Sequence, residues 1–110
     1  MAGKYELKKT TNNQFRWTLI AANGEPLLTS ETYVTKQGAE NGIAAAMRQS
    51  GSLGNYSKLT ARDGSPYFNL LAGNNQVLGT SETYSAATAR DRGIAACMNY
   101  GPTAPTEDLT

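Results

Sequence analysis

The chain has 110 residues, ten basic against nine acidic, one cysteine and no histidine. That length fits one compact domain, residues 1–110, and leaves either half marginal on its own. Scattered charges with a net of +1 supply no long-range field for capturing polyanions, the missing histidine removes the commonest general base and metal ligand, and Cys97 has no partner for an intrachain disulfide.

The N-terminal segment Met1-Ala2-Gly3-Lys4-Tyr5 carries no apolar stretch of the secretory type, and no run approaches the roughly 18 apolar residues of a membrane span. The expectation is a soluble, reduced, cytoplasmic protein. Residues 4–9 read as a first strand. Phe15, Trp17 and Leu19 then alternate with Arg16, Thr18 and Ile20, the period of a strand with one face on a core, over residues 14–22. Asn12-Asn13 before it and Asn23-Gly24 after it tolerate the positive φ of tight turns, and residues 26–30 complete a three-strand meander.

From there the period becomes helical. Ala39, Ile43, Ala46 and Met47 share a stripe, Thr35 is the predicted N-cap, and the helix ends near Gly51. Gly42 inside this helix costs about 1 kcal/mol relative to alanine, which implies a compensating close approach to a strand or to the other helix. It is not placed as a phosphate cradle, which needs a glycine-rich loop ahead of the helix.

The second half repeats this pattern. Strands are predicted over residues 56–61, 66–73 and 76–80, with turns at Asp63-Gly64 and Asn74-Asn75, Phe68 and Leu70 inward, and Tyr67, Asn69 and Leu71 outward. Ile94, Cys97 and Met98 form the second helical stripe, after a predicted N-cap at Ser85 and before an end near Gly101. The tail then offers residues 106–109 as a short last strand.

The two halves correspond at a constant spacing of 51 positions without a gap. Thr29-Ser30-Glu31-Thr32-Tyr33 recurs as Thr80-Ser81-Glu82-Thr83-Tyr84, and Gly42-Ile43-Ala44-Ala45 as Gly93-Ile94-Ala95-Ala96. Two units that cannot each bury a core can bury one together. The predicted fold is α+β: repeats of about residues 4–54 and 55–110 merge into a single antiparallel sheet of six or seven strands, with both helices on one face and an internal two-fold. The expected core is Trp17, Leu19, Leu27, Ile43 and Met47 with Phe68, Leu70, Leu78, Ile94 and Met98.

These elements, with the Phe68-Asn69-Leu70 strand, resemble the YegP-like family of duplicated bacterial proteins over essentially the whole chain. The resemblance implies a three-strand, one-helix, one-strand unit whose two copies exchange terminal strands, the strand at Tyr56 closing the first unit while opening the second. It brings no activity, cofactor or catalytic residue.

Chemistry has few candidates. Cys97 corresponds to Ala46 and reads as a small buried group; a nucleophile needs an exposed, electropositive setting. The doubled element Ser30, Glu31, Tyr33 and Ser81, Glu82, Tyr84 could hold a polar ligand or serve a small enzyme if Glu31 and Glu82 converge. The simpler reading is a strand end, an acid near a helix start and a tyrosine plugging the core edge. The sheet face away from the helices should present Arg16, Thr18, Ile20, Tyr67, Asn69 and Leu71, with Ile20 and Leu71 exposed at its centre. Arg16, Lys8 and Tyr67 together could stack and hold single-stranded nucleic acid, but the small net charge disfavours that. The expectation is a non-catalytic binding or protein-interaction module, monomeric, without cofactor, metal or membrane contact.

Overall fold

A computed structural model describes residues 3–110, so Met1 and Ala2, part of the N-terminal segment and of the expected single domain, lie outside the described residues. The elements run β1 (Lys4–Lys9), β2 (Phe15–Ile20), β3 (Pro26–Ser30), α1 (Lys36–Gln49), β4 (Tyr56–Thr60), β5 (Pro66–Leu71), β6 (Val77–Thr80), α2 (Ala87–Tyr100) and β7 (Thr106–Asp108). The four hairpin turns take the left-handed conformation that their residue types allow, with φ of 63° at Asn13, 87° at Gly24, 88° at Gly64 and 66° at Asn75. Asn23, Asp63 and Asn74 also accept from the backbone N–H two residues on, closing the turns locally.

All seven strands form one sheet in the order β4-β5-β6-β3-β2-β1-β7. The sheet is mixed, not purely antiparallel as expected, because β7 runs parallel to β1, with Tyr5 opposite Thr106. The cause lies in the chain path. After α1 the chain enters β4, antiparallel beside β5. After α2 the matching slot beside β2 is already filled by β1. The tail therefore passes outside β1 and runs in the same sense, fastened by Tyr5 N–H to Pro105 O and Leu109 N–H to Leu7 O, both 2.8 Å.

Both helices lie on the face that carries Tyr5, Leu7, Trp17, Leu19, Phe68 and Leu70, which join Ile43, Ile94 and Cys97 in one core cluster. Met47 and Met98, expected inside, pack only at its margin. Tyr5, Tyr56, Leu7 and Leu28 take interior places instead. The tyrosines can do so because each hydroxyl has a partner at a helix end: Tyr5 Oη donates to Gly101 O and Tyr56 Oη to Ser50 O, each at 2.8 Å. A β-bulge at Leu19/Ile20 turns the successive residues Leu27 and Leu28 both inward.

Gly42 and Gly93 do permit a close approach, but to aromatic rings and not to backbone. A Cβ on Gly42 would lie 2.8 Å from Tyr33 Cζ and 3.0 Å from Trp17 Nε1, and one on Gly93 would lie 2.8 Å from Tyr84 Cζ. Thr35 caps α1 by accepting from Gly38 N–H at 3.0 Å. Ser85 does not cap α2; the cap is Ala86, without a side-chain bond. Ala86 stands 51 positions after Thr35, so the repeat spacing puts Ser85 one residue too early.

Candidate functional site

The face opposite the helices is open, and strand pairing defines its contents. Residues directly opposite one another share a face. Glu6 pairs with Thr18, Thr18 with Thr29, Thr29 with Thr80, Thr80 with Asn69, and Asn69 with Ser57. A continuous polar row thus crosses six strands, β-branched in the middle where the two units meet. Asn69 Oδ1 within this row is shielded from solvent and has no hydrogen-bond partner among the described residues.

Two residues out from the row, on opposite sides of it because β2 and β5 run in opposite senses, the two units differ. Lys8 stands opposite Arg16 in the first, whereas Leu59 stands opposite Tyr67 at the corresponding positions of the second. Lys8 reaches Glu6 at 3.5 Å, and Glu6 also holds Lys4 at 3.3 Å. Arg16 enters no ion pair among the described residues. Lys8, Arg16 and Glu6 border a concavity of 690 Å³ together with five threonines.

The six residues assigned to this face from sequence do lie on it, though not as expected. Ile20 and Leu71 are half-buried at strand ends, opposite Pro26 and Val77, so the sheet centre is threonine and asparagine and not apolar. Arg16 and Tyr67 do not form one local patch: β3 and β6 separate their strands by about 14 Å at normal strand spacing, and the two residues lie on opposite sides of the polar row. Glu6, Thr29, Thr80 and Ser57 complete the surface and were not singled out, because only the strand order brings them to it.

The doubled Ser-Glu-Tyr element is built into the backbone network. Ser30 Oγ accepts from Trp17 N–H at 3.0 Å and donates to Glu31 O at 2.7 Å; Ser81 Oγ accepts from Phe68 N–H at 2.9 Å and donates to Glu82 O at 2.7 Å. Both serines are buried, while Glu31 and Glu82 point to solvent and line none of the concavities described. Tyr33 extends the ladder through reciprocal backbone bonds with Phe15, and its ring and that of Tyr84 cover the helix glycines. Cys97 is fully buried, and desolvation pushes its thiol up to about 12, away from the thiolate. Among the described residues there is no group of three or more His, Cys, Asp or Glu that could hold a metal ion, and no helix long and apolar enough to cross a membrane.

The family described as "Domain of unknown function (DUF1508)" matches residues 11–56 and again 61–108. The chain belongs to the DUF1508 family. The resemblance to YegP-like proteins holds over the full length: the UPF0339 protein YegP of Escherichia coli K12 is 46% identical over 110 residues, with all of both chains covered. A UPF0339 protein of Shewanella oneidensis is 48% identical over 110 residues, again covering all of both. The solution NMR structure of the E. coli protein superimposes with a TM-score of 0.94 at 45% identity, covering 100% of this chain and 95% of that one. Each DUF1508 match spans a hairpin, a helix and the segment after it; β1 lies outside both.

Proposed function

We propose that the protein is a small non-catalytic binding or interaction module whose working surface is the open sheet face. The observation that carries this reading is the difference between Lys8–Arg16 and Leu59–Tyr67 on matching backbone positions of one uncovered face. A fold that places either pair equally well does not require the difference, so the side chains answer to what the surface meets. The absence of a catalytic role is supported by the two serines committed to backbone bonds and by the buried thiol of Cys97. The module acts in the cytoplasm, where a lone thiol stays reduced.

We further infer that the two DUF1508 units are related by an internal two-fold and exchange their closing strands, β4 joining β5 of the second unit and β7 the β1 edge of the first. Matching bonds from Tyr5 and Tyr56 to the opposite helix ends support this arrangement. The arrangement supplies an internal dimer, and the chain acts as a monomer.

Capture of tagged protein from native lysate, with and without nuclease, tests the surface when run beside a variant carrying Thr29→Arg and Thr80→Arg. The expected result is a specific partner or ligand set, resistant to nuclease and lost by the variant while its circular dichroism is unchanged. A set retained by the variant, or reproducible turnover in a hydrolase screen, overturns the reading.

A further inference from the structure

We propose that the concavity at the Lys8–Arg16 end of the open face binds a hydroxyl-rich phosphate monoester, a sugar phosphate in class. This rests on the open face being the working surface and assigns a ligand to one half of it. Like charges directly opposite on neighbouring strands destabilise a sheet, yet Lys8 and Arg16 are so placed. The second unit solves the same position with Leu59 and Tyr67. Glu6 offsets Lys8 at 3.5 Å, but Arg16 meets no carboxylate among the described residues, so the facing cations remain a cost that a bound anion removes.

The lining narrows the anion. Lys8 and Arg16 stand against the single carboxylate of Glu6, a surplus of one positive charge, while Lys9 lies on the other face of β1 with its ammonium 5.9 Å from the centre of the Phe15 ring. A phosphate monoester carries about −1.5 to −2 at neutral pH and more than supplies that countercharge. Arg16 has no competing ion pair among the described residues, so its planar fork is available for the two-point contact that guanidinium makes with phosphate. The rest of the wall is hydroxyl and amide, including Thr18 and Thr29, with no aromatic or aliphatic side chain among the described residues. A nucleobase would find no stacking face there and a lipid chain no apolar one. Sugar hydroxyls would find threonine hydroxyls and the Glu6 carboxylate as partners. The volume, 690 Å³, lies within the range of about 300–1,000 Å³ typical of small-molecule sites.

The test is an NMR titration of the full ¹⁵N-labelled chain with glucose 6-phosphate, with glucose and inorganic phosphate as partial ligands and a short oligothymidylate as competitor. A variant carrying Lys8→Leu and Arg16→Tyr installs the second unit's own pair. Expected are saturable shifts of amides around Lys8, Arg16, Thr18 and Thr29, with affinity at least about tenfold weaker in the variant and for either partial ligand. The variant's unfolding midpoint should be equal or higher, since it removes a repulsion. Absent or non-saturable shifts, equal affinity in the variant, equal affinity for glucose or for phosphate alone, or tighter binding of the oligonucleotide would each overturn the proposal. Shifts centred on Ser57, Asn69 and Tyr67 would overturn this site while sparing the open-face reading. Shifts confined to the helix side would overturn both.

Discussion

Leu28 fills the space that a side chain at Gly79 would need: a Cβ there would lie 2.7 Å from Leu28 Cγ. The two positions stand 51 apart and correspond between the units, and they meet across the central β3–β6 seam. Two leucines could not share that seam, so one unit carries the large residue and the other the small one. Gly79→Ala should cost about 1–3 kcal/mol through overpacking, and Leu28→Ala about 2–5 kcal/mol through the cavity. Because the alanine methyl at 79 enters the room vacated at 28, the double variant should cost less than the sum. Urea denaturation of all four proteins checks this; costs additive to within about 0.5 kcal/mol would show that the two sites do not share space.

The helix glycines give a second test against simple propensity. In a solvent-facing helix Gly→Ala gains about 1 kcal/mol. At Gly42 the added methyl meets the ring of Tyr33 and the indole of Trp17, which is 0% exposed and cannot retreat. Gly42→Ala should therefore be net destabilising by about 1–3 kcal/mol. Trp17→Ala, which empties the same region, should cost about 3–5 kcal/mol. A Gly42→Ala protein more stable than the parent would show that Tyr33 swings aside at no cost.

How far the sequence reveals this molecule depends on the range of the interaction concerned. The turns at Asn13 and Asn75 are decided by residues in immediate contact, and were legible from residue type. The inward set of Phe15, Trp17 and Leu19 follows from period two. The direction of β7 was not legible, since it depends on β1, at the other end of the chain, having filled a slot first. Ser85 looked like a cap by type, yet the repeat spacing pointed to Ala86. At the candidate surface, Arg16, Thr18 and Asn69 were legible by alternation. The distance from Arg16 to Tyr67 was not, because no local pattern states that β3 and β6 lie between them. The facing of Lys8 and Arg16 was within reach: a tight turn at Asn12-Asn13 implies that register, and the signal lay in the hairpin rather than in either strand alone.

Tyr5 and Tyr56 make stability depend on pH at the alkaline end. Burial raises both phenols well above their ordinary value of about 10. A raised folded-state value means that the stabilising contribution is complete below the unfolded value and is lost as pH climbs from about 10 towards the folded values. The protein should hold constant stability through neutral pH, begin to weaken above about pH 8.5 as the buried thiol of Cys97 becomes unfavourable to keep protonated, and weaken further above about pH 10 through the tyrosines. Tyr5→Phe and Tyr56→Phe should each cost about 1 kcal/mol at neutral pH by removing a bond to a helix-end carbonyl, and together should flatten the alkaline slope. Denaturant midpoints measured from neutral pH upward read both effects; an unchanged slope in the double variant would place the alkaline sensitivity elsewhere.

The tail responds at the opposite end of the scale. Asp108 on β7 pairs with Lys36 in the first turn of α1, and this contact, aided by Thr110, holds the carboxyl below the usual carboxylate range. A lowered folded-state value means that the contribution is present above the ordinary value of about 3.9 and is lost as pH falls through the lower folded one. Acid should thus release β7 from β1 locally. The Tyr5 and Leu109 amides, which hold the two strands together, should move towards their detached positions in NMR spectra as pH falls. Asp108→Asn and Lys36→Gln should produce the same loosening at neutral pH and reduce its acid dependence to the part carried by the Lys4–Glu107 pair. The pair is solvent-exposed, so raising the salt concentration should reproduce part of the effect in the parent. If both amides keep their positions in Asp108→Asn, the strand is held by its backbone bonds, the Lys4–Glu107 ion pair at 2.8 Å and the burial of Ala104, and the Lys36–Asp108 pair contributes nothing to docking.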